Sequence, residues 1–95
     1  AKPIPKLPAS IISSSTTLTA DKDVHVVQMS GSSQTVTLPA GVVGMTRIIK
    51  NLGTNSFTVD AAGSETIDGA ANITIDVQYE AVTLICYASG AWVQV

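Results

Sequence analysis

The sequence predicts an all-β domain: short antiparallel strands in a β-sandwich or jelly-roll-like unit. Three observations lead there. Aliphatic and β-branched runs of strand length recur from Val24 to the C-terminus, and clusters of Gly, Pro, Asn, Asp and Ser separate them. No stretch carries apolar residues at the 3.6-residue spacing of an amphipathic helix. Many short strands without intervening helices are the raw material of sandwiches and jelly rolls.

The opening AKPIPKLPAS has prolines at positions 3, 5 and 8. Proline lacks a backbone donor and fixes φ, so residues 1–15 read as a Pro- and Ser-rich linker or lead-in segment, leaving 16–95 as the β domain. Residues 16–19 make the first short strand, and Asp21-Lys22-Asp23 reads as a turn. VHVVQM (24–29) is a β-branched run closed by SGSS. In QTVTL (34–38) alternation sets Val36 and Leu38 on one face. LPAGVVGM (38–45) holds a proline and two glycines, so it reads as a loop with Val42 and Val43 at an apolar tip that a neighbouring chain covers.

MTRIIK (45–50) runs into the turn cluster NLGTN. SFTVD (56–60) groups Phe57 with Val59, and NITIDV (72–77) groups Ile73, Ile75 and Val77. EAVTLICY (80–87) leads through Ala88-Ser89-Gly90 into AWVQV (91–95), a hairpin that packs Trp92 against the Cys86-Tyr87 strand. No internal repeat shows at periods of 20 to 50 residues.

Composition narrows function. The 95 residues are 45% hydrophobic and only 13% charged, against about 25% charged in an ordinary soluble domain. Too few charges are present to cover a monomer of this size, and no apolar run approaches the roughly 20 residues of a membrane helix. The surplus apolar surface therefore predicts an oligomer rather than membrane insertion. A net charge of −2 with five scattered basic residues gives no footprint for nucleic acid. Cys86, the lone cysteine, excludes an intrachain disulfide and reads as a small buried hydrophobe. Because the chain begins Ala-Lys-Pro, it reads as a piece of a longer polypeptide.

Four features of the sequence bear on chemistry. His25 is the only histidine, so no triad or ordinary transition-metal site can assemble within one chain; alternation beside Val27 makes it an exposed or interface residue, with three copies round an axis the one arrangement able to hold a metal. Seven carboxylates are present (Asp21, Asp23, Asp60, Glu65, Asp68, Asp76 and Glu80), and their spacing places no pair across a cleft as a glycosidase needs. GSETIDGAANITI (63–75) does not match a calcium loop, which alternates oxygen ligands and ends on glutamate. It reads as punctuation: a turn at Gly63-Ser64, a brief strand at 65–67 and a tight turn at Asp68-Gly69. Tyr79, Tyr87 and Trp92 are candidates for a sugar-stacking platform, though strand aromatics are more often core or interface. No catalytic residue, cofactor or metal is expected, and no receptor-contact residue can be named.

From Thr35 to the end, about two thirds of the chain, the sequence resembles a module recurrent in bacteriophage tail-fibre, tailspike and head-fibre proteins. Val36 to Pro39, Ile49 to Asn51, Gly53, Thr58-Val59, Gly63, Glu65 to Gly69, Tyr79, Val82 to Leu84, Gly90, Trp92 and Val95 carry the resemblance in order. It implies a homotrimeric fibre of the virion, a structural protein in contact with other virion proteins and attaching to a host-surface glycan or protein. A stand-alone carbohydrate-binding β-sandwich is the alternative. The pattern has no catalytic residues, and its Pro-rich start has no counterpart in the module.

Overall fold

The computed structural model describes residues 9–19 and 23–95, with the side chains of residues 9 and 10 left aside. Ten strands form: β1 (Ala9–Ile12), β2 (Thr16–Thr17), β3 (Val24–Val27), β4 (Gln34–Thr37), β5 (Thr46–Asn51), β6 (Phe57–Asp60), β7 (Thr66–Ile67), β8 (Asn72–Ile75), β9 (Ala81–Ala88) and β10 (Ala91–Gln94). They make a six-stranded sheet in the order β1-β3-β5-β9-β10-β7 and a four-stranded sheet in the order β2-β4-β6-β8. From β1 to β6 the chain alternates between the sheets. Each circuit lays one strand on each sheet, so β1, β3 and β5 run parallel, as do β2, β4 and β6. The antiparallel strands β8 and β9 then close the two stacks.

The all-β class is as expected, but the arrangement is a β-solenoid-like stack of coils, not an antiparallel sandwich or jelly roll. The reason lies in the connections. Strands that follow one another in an antiparallel meander are joined by tight hairpins, whereas residues 13–15, 28–33 and 52–56 turn corners that carry the chain to the opposite sheet. Ladder partners therefore come from the next circuit. The circuits also differ in length: Ala9 pairs with Val24 and Val24 with Ile48, separations of fifteen and twenty-four residues. A repeat search at one fixed period has nothing to find. Strand β1 falls inside the segment read as linker; the prolines, at positions 3, 5 and 8, all precede it. Of the turn expected at 21–23, residues 21 and 22 lie outside the described residues, as do the prolines.

Alternation fills the space between the sheets. From the six-stranded sheet come Val27, Ile49, Val82, Leu84, Cys86 and Trp92; from the other come Val36, Phe57, Val59 and Ile75, all buried. Val36 pairs with Val59 and Val59 with Ile73, so aliphatic side chains stack in a row across three strands. Val77 leaves this pattern: it lies beyond β8, in the turn before β9, and is exposed. Corner side chains tie one coil to the next. Gln34 Oε1 accepts from the Ser15 backbone N–H at 2.9 Å and hydroxyl at 2.7 Å, Asn55 Nδ2 donates to the Met29 carbonyl at 2.8 Å, and Gln78 Nε2 donates to the Leu52 carbonyl at 3.0 Å.

Asn51 ends β5 as the densest such tie. Its Oδ1 accepts from Gly53 N–H at 3.1 Å, its Nδ2 donates to Val77 C=O at 3.1 Å, and its own carbonyl accepts from Tyr79 N–H at 2.6 Å. The side chain is buried, so truncation leaves Gly53 N–H and Val77 C=O without their partner. Asn51→Ala is expected to cost about 1–3 kcal/mol, read as a lower urea midpoint by circular dichroism. Asn51→Asp, which sets an acceptor against the Val77 carbonyl, is expected to cost at least as much.

Candidate functional site

The two outer faces of this slab, 20 Å in its thinnest dimension, differ in chemistry. On the six-stranded sheet the outward residues fall into three columns. Val24, Ile48 and Thr83 stand opposite one another in the middle, and Val95 donates its N–H to Thr83 at 2.9 Å just beyond β10. Ile11, Val26, Lys50 and Ala81 form one flank; Thr46, Ile85 and Val93 form the other. Lys50 is the one charged side chain on this face among the described residues. Its ammonium bends aside, donating to the Tyr79 carbonyl at 2.6 Å and lying 5.9 Å from the Tyr79 ring centre. The aliphatic stem stays with the sheet.

The outer face of the four-stranded sheet is polar throughout. Thr35, Thr58 and Thr74 make one row; Thr17, Thr37, Asp60 and Asn72 make the next. Neighbouring strands lie about 4.8 Å apart, so these groups form a regular hydroxyl and amide lattice that water can cover. Both arrays follow from period-two alternation along the strands. The sequence signal for the contrast is the T-x-T spacing of Thr35 and Thr37 against the aliphatic outward positions Val24, Val26 and Ile48.

At the closed end, the stretch 63–75 behaves as punctuation. Asp68 and Gly69 have φ of 52° and 82°, and Ile67 and Ala70 exchange backbone bonds across them at 2.7 and 2.9 Å, a two-residue hairpin turn. Asp68 Oδ1 accepts from Gln94 N–H at 3.1 Å. Glu65 is a pin: its Oε1 accepts from Gly41 N–H at 2.9 Å, fastening the 38–45 loop to the β9–β10 end. Gly41 has no room for a side chain, because a Cβ there would stand 2.9 Å from Cys86 Sγ, 3.0 Å from Trp92 Nε1 and 3.2 Å from Glu65 Oε1. The loop's tip, Val42 and Val43, is exposed on the single chain.

The remaining candidates scatter. His25 is 1% exposed, which corrects the expectation of an exposed or interface residue. It faces inward between the sheets of its own chain, so three copies cannot bring it to a shared metal. Among the described residues no group of three or more His, Cys, Asp or Glu side chains is placed to hold an ion. Arg47 lies inside, bonded to the Thr46 carbonyl at 2.7 Å and paired with Asp23 at 3.3 Å. Asp60 is on the threonine face, while Asp76 and Glu80 flank the turn before β9. Cys86 is buried, and Trp92 opposes it across the β9–β10 hairpin as expected.

The three aromatics make no common platform. Trp92 is fully buried in the core, while Tyr79 and Tyr87 are about 60% exposed on the single chain. Tyr87 edges a shallow depression of about 320 Å³ with Asp68, Gly69 and Val93. Tyr79 sits in a turn at φ 69°, held by Lys50 and Asn51.

Gly41→Ala is expected to destabilise the chain by about 1–3 kcal/mol through overpacking and to shift the emission of Trp92, the only tryptophan, in the folded state. Urea unfolding followed by tryptophan fluorescence checks both. A scan against models of protein families returns no matching family, and a search of the curated proteins returns no match.

Proposed function

We propose that this domain is a structural module of a bacteriophage fibre: a homotrimeric β unit of the virion that holds three chains in register, meets other virion proteins and attaches the particle to the host surface. The observation that carries the reading is the contrast between a nearly uncharged aliphatic face and a polar face on one thin slab. The five strands that carry it, about 4.8 Å apart and each crossed for about 13 Å, offer roughly 300 Å² of aliphatic face per chain. Three such faces remove roughly 900 Å² from water, worth roughly 22 kcal/mol at about 25 cal/mol per Å². Immobilising each of two further chains costs roughly 4–15 kcal/mol. Burial exceeds that cost over most of the range. The resemblance between residues 35–95 and fibre modules supports the same reading, and three copies on one particle turn weak host contacts into strong ones.

The alternative, a stand-alone carbohydrate-binding module, is favoured by one feature: an exposed Tyr87 ring beside the Asp68 carboxylate. Sugar rings stack on such aromatics, and carboxylates accept from their hydroxyls.

Antibody raised against the domain is expected to label the fibres of virions of the phage that encodes it and to slow their adsorption to host cells. Unlabelled particles would overturn the fibre reading. Retention on host polysaccharide by a monomer, abolished in Tyr87→Ala, would put the second reading in its place.

A further inference from the structure

We infer that three copies of this chain pack together through the outer faces of their six-stranded sheets, with the column Val24, Ile48, Thr83 and Val95 turned toward a common axis. The inference rests on the fibre reading for the existence of the trimer and adds which surface forms it. The side chains of the middle column carry no charge, and the one ammonium of this face among the described residues, on Lys50, stands in a flanking column and is drawn aside to Tyr79. The opposite face is threonine, aspartate and asparagine, a surface that loses hydrogen bonds to water if another sheet covers it.

Geometry favours three chains over two or four. Walls about 13–18 Å across, the span of four residues with their side chains, enclose a three-sided prism whose axis lies about 4–5 Å from each wall. That is half the roughly 10 Å between packed sheets, so side chains from the three walls meet at the axis. Four such walls stand about 6.5–9 Å from their axis and leave a void. Two chains packed face to face cover the flanking column and its Lys50 ammonium, whereas three leave the flanks nearer to solvent. In this packing all three threonine faces look outward.

The test uses the whole 95-residue chain in analytical ultracentrifugation. Wild type is expected at three times the 9.8 kDa chain mass. Thr83→Lys, which adds a charge at a position already polar and outward, is expected to sediment as a folded monomer, and Thr58→Lys on the opposite face as a trimer. A trimeric Thr83→Lys protein overturns the assigned face and leaves the fibre reading standing. A wild-type dimer overturns the three-fold packing. A wild-type monomer at about 100 µM, far above a micromolar Kd, overturns both the inference and the trimer it rests on. If Thr83→Lys fails to fold, Thr83→Cys decides: a short bis-maleimide is expected to join chains through this position, and a product with no cross-link overturns the inference.

Discussion

Every strand of the parallel stacks depends on a neighbour one circuit away. A parallel ladder cannot be closed by a tight turn, so the chain must travel across the opposite sheet and return in register before a single bond forms between circuits. That constraint explains the polar corners. Ser15 with Gln34, Asn55 with Met29, Gln78 with Leu52 and Asn51 with both Gly53 and Val77 fix the height at which each circuit begins. Given that height, alternation does the rest: it sends Val36, Val59 and Leu84 between the sheets and leaves Thr35, Thr58 and Thr83 outside.

Nine of the strands were legible because their period-two pattern is local. Residues 24–27, 34–37 and 57–60 announce themselves with no knowledge of their partners, and Asp68-Gly69 announces its turn for the same reason. The pairing was not legible. Whether Val24 lies beside Val36 or beside Ile48 depends on how residues 28–33 and 38–45 steer the chain, and unequal circuits erase the repeat that would otherwise betray a solenoid. Strand β1 was missed because it follows three prolines closely.

The site was half legible. Surplus apolar surface was visible in the composition, but its location was not, since choosing the outer face of one sheet requires knowing which strands share it. His25 was misplaced for a related reason: alternation correctly set it with Val27, and that side turned out to be the interior. Tyr79 shows what the sequence conceals most completely. A non-glycine residue at φ 69° looks like any other tyrosine until the bonds from Lys50 and Asn51 to its turn are seen.

Strand β9 sits between β5 and β10, yet it follows β5 by about thirty residues. During synthesis, β5 therefore emerges and waits, its edge bare, until the ribosome has delivered almost the whole domain. Until then the free side of β5 is an unpaired edge, open to any strand that reaches it first.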